Sequence, residues 1–282
     1  MKELPIGFID SGFGGLTVVK QSLKQLPNES ILFIGDNARC PYGPRPLEEV
    51  KKYIWQLSNF LREKGIKMLV IACNTGTAAA LEELKKTLPI PVVGVIAPGS
   101  RAAIIQTNNK KIGVIGTLGT IKSQIYENTI TNKTNDVTVK GIACPSFVDM
   151  VETGQLYSGR AKDKVTQELS PILDEEIDTL VLGCTHYPLM RDLIQEVVGP
   201  KVHLIDSGVE TINDVSMLLD YFNLSRTASD AAMQSPKHIF YTTGDADRFH
   251  RMASDWLNQD DLDIRKCEIK GEVIYETYYS ES

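Results

Sequence analysis

Along most of the chain, short wholly apolar runs alternate with longer stretches whose apolar residues recur every three or four positions. "IGFID" (6–10), "ILFIGD" (31–36), "MLVIACN" (68–74) and "PVVGVI" (91–96) are of the first kind. "GLTVVKQSLKQL" (15–26), "LEEVKKYIWQLSNFLREKG" (47–65) and "TAAALEELKKTL" (77–88) are of the second. The longer period predicts amphipathic helices, and the short runs predict strands buried on both faces. Buried strands separated by helices form a parallel sheet covered on both sides.

The pattern then restarts. "KIGVIGTLGTI" (111–121) resembles "PIGFIDSGFGGL" (5–16), and "VTVKGIAC" (137–144) takes the place of "ILFIGD". "TLVLGCTHYPLM" (179–190) takes the place of "MLVIACNTGTAA", and "KVHLIDSG" (201–208) that of "PVVGVIAPG". The repeat makes Cys73 and Cys184 equivalent positions. Beyond it, 207–222 reads as a helix, "SRTASDAAMQSP" (225–236) as a polar exposed linker, 237–245 as a strand, 245–257 as a helix, and "IRKCEIKGEVIYETYY" as an extended tail. The expected fold is α/β, with two similar domains, each a parallel sheet flanked by helices. Residues 1–97 with 207–282 form the first, residues 98–206 the second. The site is expected in the cleft between them, since ligands of open parallel sheets sit at the carboxyl ends of the strands. Asp10, Asp36, Cys73 and Cys184 fall at such ends.

Composition narrows the function. The 282 residues are 42% hydrophobic and 23% charged, which fits a packed globular protein. A formal net charge of −6 argues against nucleic acid and against electrostatic membrane contact. The N-terminus lacks the long apolar core of a secretory signal, and no run reaches membrane-spanning length. Five cysteines without close pairs are expected to be reduced, as in a cytoplasmic protein. No C-x-x-C occurs and the four histidines are scattered, so no zinc site is expected. "DSGFGGL" is a Gly-rich turn without a P-loop lysine, and weak evidence for a phosphate cradle.

Cys40, Cys144 and Cys267 read as structural. Cys73 and Cys184 are each followed by polar, cap-forming residues, Asn74-Thr75 and Thr185-His186. A helix N-terminus there favours thiolate over thiol. Two thiols on facing domains form a two-base device: one removes a proton from carbon and the other returns one to the opposite face.

Together "IDSGFGGLTV", "GDNARCPYG", "ACNTGTA" and "GCTHYPL" resemble the glutamate racemases of the aspartate/glutamate racemase superfamily, over nearly the whole chain. The resemblance implies a cofactor-independent enzyme that supplies D-glutamate for peptidoglycan, with Cys73 acting on D-glutamate and Cys184 on L-glutamate. It carries substrate contacts over to Asp10, Ser11, Tyr42, Gly43, Asn74, Thr75, Thr185 and His186. Asp10 is then expected to support Cys73 and His186 to support Cys184, with Asp36 and Glu152 as supporting carboxylates. The motifs hold no lysine, and their Arg39 is not among these contacts. The carboxylates of the substrate would meet backbone N–H groups and hydroxyls instead. Such racemases are often homodimers, and the "VIYETYY" tail is a candidate contributor. Three rivals remain: a racemase for another acid such as aspartate, a two-domain binding protein for a small anion, and a Cys hydrolase using His186 as base. The binding protein does not explain two matched thiols, and the hydrolase leaves the repeat unexplained.

Overall fold

Most of the apolar runs become strands because each has an apolar layer to enter on either face; residues 138–143, at a sheet edge, form a strand with none of its residues buried. The computed structural model describes residues 1–157 and 159–277. The chain runs β1 (Ile6–Asp10), α1 (Leu16–Gln25), β2 (Ile31–Gly35), α2 (Leu47–Lys64), β3 (Met68–Ile71), α3 (Asn74–Thr87), β4 (Val92–Gly94) and α4 (Ile96–Gln106). It continues through β5 (Lys111–Gly116), α5 (Leu118–Lys122), α6 (Ile125–Thr131), β6 (Thr138–Ala143), α7 (Ser146–Glu152), α8 (Ala161–Leu173), β7 (Thr179–Gly183), α9 (Arg191–Val198) and β8 (His203–Asp206). It closes with α10 (Ser207–Tyr221), α11 (Ala228–Met233), β9 (His238–Thr242), α12 (Ala246–Leu257), β10 (Asp263–Lys270) and β11 (Val273–Glu276).

Two sheets result, ordered β11-β10-β9-β2-β1-β3-β4 and β6-β5-β7-β8. Without the three C-terminal strands the orders are identical, second–first–third–fourth, and every pairing among those eight strands is parallel. The repeat in the sequence is thus a repeat of topology. Alternation along the strands divides the larger sheet's core. Ile6, Phe8, Ile31 and Phe33 enter one apolar layer, and Ile9, Leu32 and Ile34 the other. The smaller sheet does the same, with Ile115, Leu180 and Leu182 on one face and Ile112, Val114 and Val181 on the other. Among the described residues, no helix is long and apolar enough to cross a membrane.

Three details differ from the expectation. First, the helix after β3 begins at Asn74 rather than 77, because the Cys73 sulfur itself caps it, accepting from Gly76 N–H at 3.3 Å. Second, residues 225–236 are no simple linker. Thr227 and Asp230 form a reciprocal capping box that starts α11, and the adjacent Arg226 side chain is buried, donating to the carbonyls of Asn28 and Asp230. Third, the larger sheet is not wholly parallel. The tail folds back at Gly271, whose φ of +63° admits a tight reversal. β11 therefore pairs antiparallel to β10 at the sheet edge. Of the "VIYETYY" tail, Tyr278 and Tyr279 lie outside the described residues.

Candidate active site

The carboxyl ends of the central strands of both sheets converge on one small cavity. Ser11, Tyr42, Gly43, Cys73, Asn74 and Thr75 line it from the larger-sheet half, and Cys184, Thr185 and His186 from the smaller. Both thiols of the repeat therefore share one wall. The space is about 20 Å³, room for about one water molecule. The cavity as it stands is smaller than an amino acid.

The remaining expected residues stand behind that wall. Asp10 is fully buried and its Oδ2 accepts from Gly12 N–H (3.1 Å) and Gly15 N–H (2.9 Å), while Oδ1 faces the Thr185 hydroxyl at 3.5 Å. Burial pushes its carboxyl up to about 6, against the opposing pull of His186 and these backbone donors. Asp36 accepts from the Tyr42 hydroxyl, from Thr243 (2.7 Å) and from Arg39 Nε (2.6 Å). It holds the tyrosine on the wall. The halves also touch closely at Gly14, where a Cβ would lie 2.2 Å from Thr185 Oγ1 and 2.6 Å from His186 Nδ1. Only glycine fits there.

The two thiols have different surroundings. Cys73 caps α3, but the helix does not make it a ready thiolate. Burial first, and then the nearby Asp10, push it up to about 12, outweighing the Gly76 and Ser11 hydrogen bonds. The helix N-terminus favours the thiolate through Gly76 N–H, as expected, but desolvation outweighs it. Cys184 is not at an α-helix start at all. A 3-10 turn, Tyr187–Met190, intervenes before α9. Its local partner is His186, whose Nδ1 lies 3.9 Å from the sulfur, and whose Nε2 lies 3.1 Å from Glu152 Oε1. Burial alone would discharge His186, but the Cys184 sulfur and the Glu152 carboxylate outweigh it and raise the imidazole to about 10.

Glu152 is held in turn. Cys40 Sγ donates to its Oε1 at 3.7 Å, and Arg248 Nη2 on α12 lies 3.6 Å from its Oε2. Burial works to raise this carboxyl, yet His186, Arg248 and Cys40 together keep it below the usual range. Glu152→Gln removes the charge that stabilises the imidazolium. The His186 pKa is expected to fall by about one to three units, seen in the NMR titration of its Cε1 proton. An unmoved titration would disconnect the pair.

Sequence reasoning did not single out Thr117, Pro41 and Val148, which also line the cavity. Thr117 was recoverable: the repeat sets it opposite Ser11. Its Oγ1 lies 2.8 Å from Thr75 Oγ1, joining hydroxyls from the two halves. Val148 is an apolar residue of an amphipathic helix and carried no signal. Among the described residues, no group of three or more His, Cys, Asp and Glu is placed to hold a metal.

Comparison with known proteins agrees with this arrangement. Residues 6–215 match the family model described as Asp/Glu/Hydantoin racemase. The glutamate racemase of Carnobacterium sp. is 55% identical over 94% of this chain and 98% of its own. The crystal structure of a glutamate racemase from Bacillus anthracis superposes with a TM-score of 0.91 at 42% identity, covering 97% of this chain and all of that one. A glutamate racemase from Francisella tularensis, crystallised with D-glutamate, gives 0.86 at 32% identity over 96% of this chain and 98% of its own. Two matched thiols at the ends of repeated strands, on a scaffold shared over nearly its full length, place this chain among the glutamate racemases of the Asp/Glu/Hydantoin racemase family.

Proposed function

We propose that the chain interconverts L- and D-glutamate by moving the Cα proton between two thiols, with neither metal nor pyridoxal phosphate, and so supplies D-glutamate for peptidoglycan. The observation that carries this reading is the pair of repeat-equivalent cysteines on one cavity wall. The division into residues 1–97 with 207–282 and residues 98–206 belongs to the same reading, and the two sheets support it. Cytoplasmic residence is supported by five free cysteines, Cys40, Cys73, Cys144, Cys184 and Cys267.

In the L-to-D direction Cys184 acts as thiolate, steadied by the imidazolium of His186, and takes the Cα hydrogen as a proton. The electron pair spreads into the α-carboxylate, where hydroxyls and amides of the cavity stabilise the developing charge. The Cys73 thiol gives its proton to the opposite face. Cys184 ends as thiol and Cys73 as thiolate, ready for the reverse step. The high affinity of Cys73 for its proton suits it as the acid in this direction. Asp10 supports Cys73 and is placed to accept from the substrate ammonium. Ser11, Tyr42, Gly43, Asn74, Thr75 and Thr185 hold the carboxylates with N–H and O–H donors.

Glutamate is favoured over aspartate by the relatives above 50% identity that bear its name. Circular dichroism of each pure enantiomer tests the reading. With enzyme, the signal of L- and of D-glutamate is expected to decay to zero, before and after dialysis against a chelator. A constant glutamate signal sinks it. Decay for aspartate alone selects the rival substrate, and metal-restored activity removes the cofactor-free mechanism.

A further inference from the structure

Tyr126, on α6, is buried, and its hydroxyl donates to Asn74 Oδ1 at 2.7 Å. Asn74 opens α3 in the other half, and its side chain lines the cavity. A Cβ on Gly99 would stand 3.6 Å from the phenol oxygen and 2.8 Å from Ser207 Cβ. Ser207 starts α10 and Gly99 lies in α4, the two segments on which the chain passes between the sheets. The phenol therefore sits where the two crossings meet.

We propose that Tyr126 is a positioning residue for the reaction proposed above: it fixes the Asn74 carboxamide with its NH2 edge toward the cavity, so that the amide donates to a substrate carboxylate. A carboxamide is planar, with its acceptor and its donors on opposite edges. Occupying Oδ1 from behind turns Nδ2 forward. A half-turn of the amide would break the Tyr126 hydrogen bond to Oδ1 and would point a carbonyl at an anion. Burial also pushes the Tyr126 phenol up, so it remains a donor at any working pH. Asn74 thereby becomes a pre-aimed donor in a cavity that, among the described residues, no lysine or arginine lines.

Tyr126→Phe removes the hydroxyl and little else. KM for both enantiomers is expected to rise about tenfold, with kcat changed less than about threefold, the scale of one buried hydrogen bond. Because Tyr126 acts through Asn74, adding Y126F to N74A is expected to cost less than about twofold more. A merely structural role would instead add its full effect in both backgrounds. Asn74→Asp tests the orientation separately: it still accepts from Tyr126 but turns an anion toward the carboxylate, so its KM is expected to exceed that of N74A. An unchanged KM in Y126F, full additivity with N74A, or an N74D variant that binds as well as N74A overturns the proposal. If Y126F does not fold, the N74D and N74A comparison decides. Inactive wild type overturns the racemase reading and this proposal with it. Active wild type with an unaltered Y126F overturns this proposal alone.

Discussion

Cys73→Ser is expected to abolish racemisation of either enantiomer, by about 10²- to 10⁴-fold, the range of a lost general acid–base group. Serine nearly matches cysteine in shape but is a far weaker acid, so it cannot hold a proton-accepting anion near neutral pH. The informative measurement is a half-reaction. Enantiomers have equal free energies, so kcat/KM is the same in both directions for every variant and cannot reveal which thiol was lost. An analogue with a leaving group at Cβ avoids this, because loss of the α-proton and the leaving group needs no reprotonation. Cys73→Ser is expected to retain elimination from the L-like analogue and lose it from the D-like one; Cys184→Ser is expected to do the reverse. Two variants that process the same enantiomer would assign all proton abstraction to one thiol. The likeness of "VIACNT" and "VLGCTH" would then reflect only the ancestry of the fold.

Asp10→Asn is expected to lower kcat by about 10²-fold or more while leaving the fold as stable as before, or more so. The buried carboxyl has its pKa raised from 3.8 to about 6. The folded chain thus holds this proton more tightly than the unfolded one. Between pH 4 and 6 unfolding releases it, so stability falls as pH rises, and the whole deficit, up to roughly 3 kcal/mol, persists above pH 6. Asparagine carries no such deficit, and its carbonyl can still accept from Gly12 and Gly15. Melting curves are expected to place the variant at or above wild type at pH 8, with the gap closing toward pH 4. Near-normal kinetics would make Asp10 structural only. A lower melting temperature at pH 8 would mean that the charged form is stabilised in the fold rather than penalised.

The fold was legible because strands buried on both faces read as unbroken apolar runs, and because the chain states its topology twice. The thiols were legible for the same reason: Cys73 and Cys184 stand at one position of the repeat. The protonation of Cys73 was not. A helix N-terminus is visible in "CNTG", but the burial that outweighs it comes from side chains far apart in sequence. Partners far apart in sequence were equally silent. Nothing local connects Arg248 to Glu152, or Tyr126 to Asn74. The Arg226 anchor was hidden by composition, since a polar stretch gives no sign that one of its charges turns inward to meet backbone carbonyls.

The place of β9 has a consequence for how the protein is made. Its partner β2 is apolar and fully buried, with β1 on one side and β9 on the other. A ribosome delivers β9 only after more than 200 further residues, including the whole smaller sheet. Until then β2 is a naked sheet edge, a template for pairing with another nascent chain. Thr243, which follows β9 and bonds Asp36, arrives in the same late step. Synthesis therefore finishes the catalytic wall and closes this apolar edge at once, and a chain released early has neither.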